Sequence, residues 1–361
     1  VNNSNITISL CMIVRDEEQT ISRCLDSVTG IPDEIIIVDT GSIDQTKEIA
    51  QKYTNFVFDF EWIDDFAEAR NFAFSKANMD YILWLDADDI ISGSDRDKFL
   101  ILKKSLDPLI DVVNMPYILD LDEYETVAMS LRRNRLVKRS KNFQWFGAVH
   151  EFLKIDGYVM NSDVCVTHLG IRDDPNRNLR IFEKQMIKGN PLSGRDLFYI
   201  GNELLSHRLY HRAVEIYQKA LQQEDLWVEN KLSACQRLAG IYHHLEEKDN
   251  ELQFLFKSFE YDVPRAEFCC HLGNYFLENG QYEKSIFWYN LATKLERPGE
   301  NWGPAEHACW TWLPHIQLCL CYDRLGNYSL AYKHNEIARG YRPQDPRILY
   351  NKKYFEDILS P

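Results

Sequence analysis

The stretch Tyr81-Ile82-Leu83-Trp84-Leu85-Asp86-Ala87-Asp88-Asp89 runs an apolar segment straight into three carboxylates. A short apolar run of this kind suits a buried strand, and the acids then fall where that strand meets solvent. Carboxylates crowded there repel one another unless a cation sits between them. Mg²⁺ and Mn²⁺ take oxygen ligands and readily bridge carboxylates to a substrate's phosphates. An Asp-rich turn would show the same letters, since Asp is a common turn and cap residue.

Upstream, Asp33-Glu34-Ile35-Ile36-Ile37-Val38-Asp39-Thr40-Gly41-Ser42-Ile43-Asp44-Gln45-Thr46 repeats the pattern. Ile35 to Val38 form a β-branched run suited to a parallel strand covered on both faces. Gly41 permits a tight turn, and Ser42 with Gln45 has the spacing of a helix capping box. Further back, a strand is expected over Ile6 to Val14, ending in Arg15-Asp16-Glu17-Glu18. Behind it Ile21, Cys24, Leu25 and Val28 recur at helical spacing. Three strand-then-charge junctions alternating with helices predict an α/β fold, Rossmann-like with a mostly parallel sheet. Ligands of such sheets bind outside the carboxyl ends of the strands.

Taken together, Val14-Arg15-Asp16-Glu17, Asp39-Thr40-Gly41-Ser42-Ile43-Asp44-Gln45-Thr46, Ala69-Arg70-Asn71 and Asp86-Ala87-Asp88 resemble, in order and spacing, the motifs of family 2 glycosyltransferases of the GT-A fold. The resemblance extends through Phe146-Gly147-Ala148-Val149-His150-Glu151 and Val166-Thr167-His168-Leu169-Gly170 into a helical tail. That arrangement is similar to bacterial glycosyltransferases with a tetratricopeptide tail, including the sublancin-type peptide S-glycosyltransferases.

The resemblance implies roles that the chemistry can be checked against. Val14, Arg15, Glu17, Asp39, Gly41, Ser42, Arg70, Asp86 and Ala87 would belong to the nucleotide-sugar site, with Asp39 accepting from a uracil N–H. Asp88 would be the direct metal ligand and His168 a later one, a donor set that suits Mn²⁺ or Mg²⁺. By itself, a histidine after a strand is commonly no more than a hydrogen-bonded polar residue. Asp89 lies outside the minimal pattern and reads as a cap for the next turn. Glu151 would be the base that takes the acceptor's proton in an inverting transfer. His150 stands where the family has an acid, as acceptor-site partner or alternative base. Arg133 and Arg135 could clamp a diphosphate bidentately. The basic run Leu131 to Arg139 also reads as a solvated loop.

Beyond about Asn190 the β-branched runs give way to Leu, Ala, Tyr and Glu at helical spacing. Gly201, Ala213, Tyr217 and Ala220 fit one tetratricopeptide repeat, and Gly273, Phe276, Ser285, Tyr289 and Ala292 fit another. Tyr322, Ala331, Ala338 and Pro343 fit a third, with a degenerate copy at Ala239, Tyr242, Leu255 and Ser258. The expected division is therefore a GT-A domain over 1–189 and an all-α, tetratricopeptide-like domain over 190–361.

At 361 residues there is room for both domains. A formal charge of −14 argues against nucleic acid as partner. Nine cysteines without a Cys-x-x-Cys pair suggest reduced thiols in a cytoplasmic protein. No apolar run approaches the ~18 residues needed to cross a bilayer. The expected function is metal-dependent inverting transfer of a hexose from a UDP-sugar to a peptide or protein, at a Ser/Thr hydroxyl or Cys thiol. The helical tail would hold the acceptor or a second copy of the chain. The alternatives are a glycan or small-molecule acceptor, and a tetratricopeptide scaffold with a vestigial sugar-nucleotide site.

Overall fold

The computed structural model describes residues 6–123, 126–170, 176–187, 192–296 and 305–360. The chain divides into two compact units, residues 1–124 with 130–192 and residues 125–129 with 193–361.

In the first unit the strands are β1 (Ile8–Val14), β2 (Glu34–Asp39), β3 (Val57–Asp59), β4 (Tyr81–Trp84), β5 (Asp89–Ile90), β6 (Val112–Leu121), β7 (Val127–Lys138, from Ser130 on), β8 (Gln144–Phe146), β9 (Phe152–Lys154), β10 (Val159–Asn161) and β11 (Val166–His168). The helices are α1 (Ile21–Ser27), α2 (Thr46–Ala50), α3 (Phe66–Ser75), α4 (Gly93–Ser105) and α5 (Arg177–Ile187). The main sheet runs β3-β2-β1-β4-β7-β6-β11-β5, with β10 also on β6 and with β8 and β9 forming a separate hairpin. β1 pairs in parallel with both β2 and β4, while β4–β7 and β11–β5 are antiparallel.

Strand periodicity sends alternate residues of β1 to opposite faces. Ile8, Leu10, Met12 and Val14 pack with Ile21, Cys24, Leu25 and Val28 on one side. Cys11 joins Ile36, Val38, Ala73, Phe74 and Trp84 on the other. Both faces are therefore covered, as an apolar run such as Ile35 to Val38 requires. Register brings Val14 opposite Asp39, so the first two junctions open at one edge of the sheet.

Two sequence-based expectations are corrected. Ser42 and Gln45 form no capping box: α2 begins at Thr46, and Asp44 Oδ1 accepts from the Thr46 N–H at 2.9 Å. Ser42 instead ties the two acidic loops together, its Oγ accepting from the Asp16 N–H at 3.0 Å and donating to Asp39 at 2.7 Å. The basic run around Arg133 and Arg135 is not a loop but the interior of β7, where it exchanges exposure for cross-strand packing.

The second unit stacks helical pairs: α6 (Gly194–Ser206) with α7 (Tyr210–Leu221), α8 (Val228–His244) with α9 (Lys248–Lys257), α10 (Ala266–Glu278) with α11 (Tyr282–Ala292), and α12 (Leu313–Arg324) with α13 (Tyr328–Tyr341), followed by α14 (Pro346–Leu359). The small residues picked out by sequence lie at these close approaches. A Cβ on Gly201 would stand 2.6 Å from the Tyr217 ring, and one on Gly273 2.8 Å from Tyr289. The Ser285 hydroxyl donates to the Gly273 carbonyl at 2.8 Å, fixing α11 on α10. Stacking such pairs buries faces that no single pair could cover.

Candidate functional site

A cleft of about 780 Å³ opens in the first unit along the carboxyl edge of β1 and β4. Val14, Arg15, Glu17, Arg70, Asp86, Ala87, Asp88, Arg133, Arg135, His150, Glu151 and His168 all line it. Asp39, Gly41 and Ser42 do not; their neighbour Thr40 does. Asp39 is buried and its carboxylate accepts from the Ser42 N–H at 3.0 Å, so it shapes the turn beside the cleft.

The third acid of the opening motif is its anchor. Asp89 caps no turn. Its carboxylate is fully buried, accepting from the Asp86 N–H at 3.0 Å and the Tyr117 hydroxyl at 2.8 Å, and it pairs with Arg135 at 2.9 Å. Arg135 is equally buried, lies over the rings of Trp84 (4.0 Å) and Tyr117 (4.4 Å), and donates to the Trp84 carbonyl. It therefore supports the acidic motif from beneath rather than reaching out as a clamp. Arg133 lines the cleft in a half-buried position.

Above this layer, Asp88 and Asp89 face His168. Its Nδ1 lies 3.5 Å from Asp88 Oδ1 and 3.7 Å from Asp89 Oδ1, and one ligand atom from each of the three falls within 4.8 Å of the others. The two carboxylates, Asp88 first, push the imidazole up to about 10 against the desolvation that opposes it. Nδ1 is buried and makes no hydrogen bond to the described residues. Gly170 presses on the same spot, since a Cβ there would meet Asp88 Oδ2 at 1.8 Å. A buried Nδ1 without a hydrogen-bond partner among the described residues, facing two carboxylates, fits a divalent cation.

On the opposite wall, Arg70 projects from α3, whose first turn is capped by Asp65 accepting from the Glu68 N–H. Its Nη2 donates to Asp86 Oδ1 and its Nε to Glu151 Oε1, each at 2.6 Å. Burial would raise the Asp86 carboxyl, but Arg70, with help from Arg135 and Arg133, holds it at about 2. Glu151 and His150 sit on the loop joining β8 to β9. His150 takes a left-handed backbone (φ 52°), a strain of ~1–3 kcal/mol that persists only where the surroundings over-determine it.

Sequence reading missed two features. Asp89's role carried the one available signal, a third acid in the same motif. The outer wall formed by Trp62, Phe66 and the α5 residues Arg177, Arg180, Ile181 and Lys184 was not anticipated, although Arg177, Arg180, Ile181 and Lys184 do recur at helical spacing.

Comparison with known proteins accords with this geometry. Residues 9–152 match the family model described as Glycosyl transferase family 2, and residues 266–298 match a tetratricopeptide repeat. The first unit thus carries a family 2 glycosyltransferase domain of GT-A type, and a tetratricopeptide-like helical region follows it. Over 230 residues the chain is 27% identical to the SPbeta prophage-derived glycosyltransferase SunS of Bacillus subtilis, covering 60% of this chain and 53% of that protein. It is 50% identical over 82 residues to a TPR repeat-containing protein of Synechococcus elongatus, covering 23% and 20%. The lipopolysaccharide core biosynthesis glycosyltransferase LpsC of Rhizobium meliloti is 27% identical over 165 residues, covering 44% and 60%. The chain spans about half or less of the first two relatives' length.

Proposed function

We propose that this protein is a metal-dependent, inverting glycosyltransferase that moves a hexose from a UDP-sugar to a peptide or protein acceptor. The observation that carries the reading is the meeting, in one cleft, of an acidic cluster fit for a cation and a carboxylate fit for a base. Asp88 and His168, backed by Asp89, would hold Mn²⁺ or Mg²⁺. Such an ion neutralises the charge that develops on the leaving diphosphate.

The chain's own residues do the rest. Asp39 stands beside the cleft for the nucleotide base, and Arg133 lies where a guanidinium can meet phosphate oxygens. Glu151 Oε1 is fixed by Arg70, and its carboxylate takes the proton from the acceptor's hydroxyl or thiol. A thiol, with an ordinary pKa near ~8.5, asks less of that base than a hydroxyl. The resemblance to sublancin-type peptide S-glycosyltransferases and the helical stack support a polypeptide acceptor. The similarity to LpsC supports the second reading, transfer to a glycan. Among the described residues no helix is long and apolar enough to cross a membrane.

The test is thermal unfolding with UDP and Mn²⁺, singly and together, followed by turnover of UDP-sugars against peptides. Stabilisation by the pair, lost in Asp88→Asn, together with peptide modification that Glu151→Gln abolishes, supports the assignment. A UDP shift indifferent to Mn²⁺ and to Asp88→Asn would sink the metal-dependent form of it.

A further inference from the structure

Arg70 holds two acids that belong to different parts of the proposed chemistry. Asp86 follows β4 in the donor motif, and Glu151 precedes β9 on the opposite wall, yet both oxygens lie 2.6 Å from one guanidinium. Arg70 is only 6% exposed, and its Cζ lies 4.9 Å from the centroid of the Trp84 ring and 5.0 Å from that of Trp145. Those two indoles meet edge to face at 4.8 Å, and Arg135 approaches the same Trp84 ring at 4.0 Å. Cations and rings therefore alternate from Tyr117 through Arg135, Trp84 and Arg70 to Trp145. Within this series Arg135 holds Asp89, and Arg70 holds Asp86 and Glu151.

A planar fork serves two carboxylates at fixed directions in a way an ammonium cannot. Its Nε and one Nη2 N–H are spent on protein acids, and the flanking rings restrict any swing of the fork toward a ligand. We infer that Arg70 is a positioning residue: it sets the orientation of Glu151 relative to the acidic donor motif, and does not itself bind the donor. This deepens the proposed function and rests on Glu151 being its base. Misplacing a reacting group by about 1 Å costs on the order of 10²-fold in rate, which sets the scale of the effect.

The experiment compares the full chain with Arg70→Ala and Arg70→Lys, each first checked by near-UV circular dichroism. Arg70→Ala should keep the UDP–Mn²⁺ thermal shift and the donor KM within about threefold while kcat falls on the order of 10²-fold. Added guanidinium should recover kcat at least in part. Arg70→Lys should recover little, since its single ammonium lacks the fork. Carbodiimide labelling, read by peptide mass spectrometry without any turnover, should show Glu151 protected in the native chain and exposed in Arg70→Ala.

Loss of UDP binding in a folded Arg70→Ala, where Asp86→Asn keeps it, would make Arg70 a donor ligand and overturn the inference. So would unchanged labelling of Glu151. If the native chain itself neither binds UDP nor turns over, the proposed function fails, and the labelling result still decides whether Arg70 orients Glu151.

Discussion

Arg135 and Asp89 form an ion pair with no exposed side-chain surface on either partner, Nη2 lying 2.9 Å from Oδ2. Removing one partner of a buried pair strands the other's charge, which costs about 3–5 kcal/mol. Arg135→Met should lower stability by that amount in urea denaturation, although methionine keeps much of the volume. A loss under about 1 kcal/mol would mean that water reaches Asp89 and that the support beneath the acidic motif is weaker than its burial indicates.

Gly170→Ala should damage the cation site more than the fold. The new Cβ would stand 1.8 Å from Asp88 Oδ2, so the carboxylate must turn away from His168. With Mn²⁺ at a hundred times its native dissociation constant, a native gain of about 2.7 kcal/mol should largely vanish. The unfolding temperature without added ion should barely move. Equal Mn²⁺ stabilisation in both proteins would place the ion elsewhere.

In the helical unit, Gly273→Ala tests the α10–α11 approach directly. The added methyl meets the Tyr289 ring at 2.8 Å, and overpacking of a dense core costs about 1–3 kcal/mol. A chemical denaturation midpoint that does not fall would show that the two helices separate freely.

The same unit should weaken on acidification. His334 stacks on Tyr322 and on His315, with Nδ1 of the two histidines 3.0 Å apart. Burial first, then His315 and Lys333, lower His334 to about 4 from its ordinary 6.5. Between those values the unfolded chain binds a proton that the folded chain refuses, so this contribution is complete above about pH 6.5 and is lost as pH falls towards 4. His334→Gln should flatten that part of the stability curve relative to the native chain. Superimposable pH profiles would contradict it.

The parts of the site written in local pattern were legible in the sequence. Strand-then-charge junctions placed Asp86 and Asp88 at the sheet edge, and helical spacing placed Ile21, Cys24 and Leu25 beneath it. What remained hidden depends on partners distant along the chain. Asp89 reads as a cap because nothing adjacent shows that β7 will bring Arg135 under it. Arg135 reads as solvated because a run of five charges suggests a loop, while strand alternation inside the run aims one guanidinium inward. Ser42 and Gln45 have capping-box spacing, but Asp16 competes for Ser42 and delays the helix to Thr46.

His168 stands directly across from Asp89 where β11 meets β5, and the Leu169 N–H donates to the Asp88 carbonyl at 3.0 Å. The candidate ligands are thus neighbours across two very short strands at one margin of the sheet. An ion held between them would act as a rivet through that margin. Backbone amide exchange at Leu169 should then slow with rising Mn²⁺, so the ion supply would set how firmly this margin stays closed.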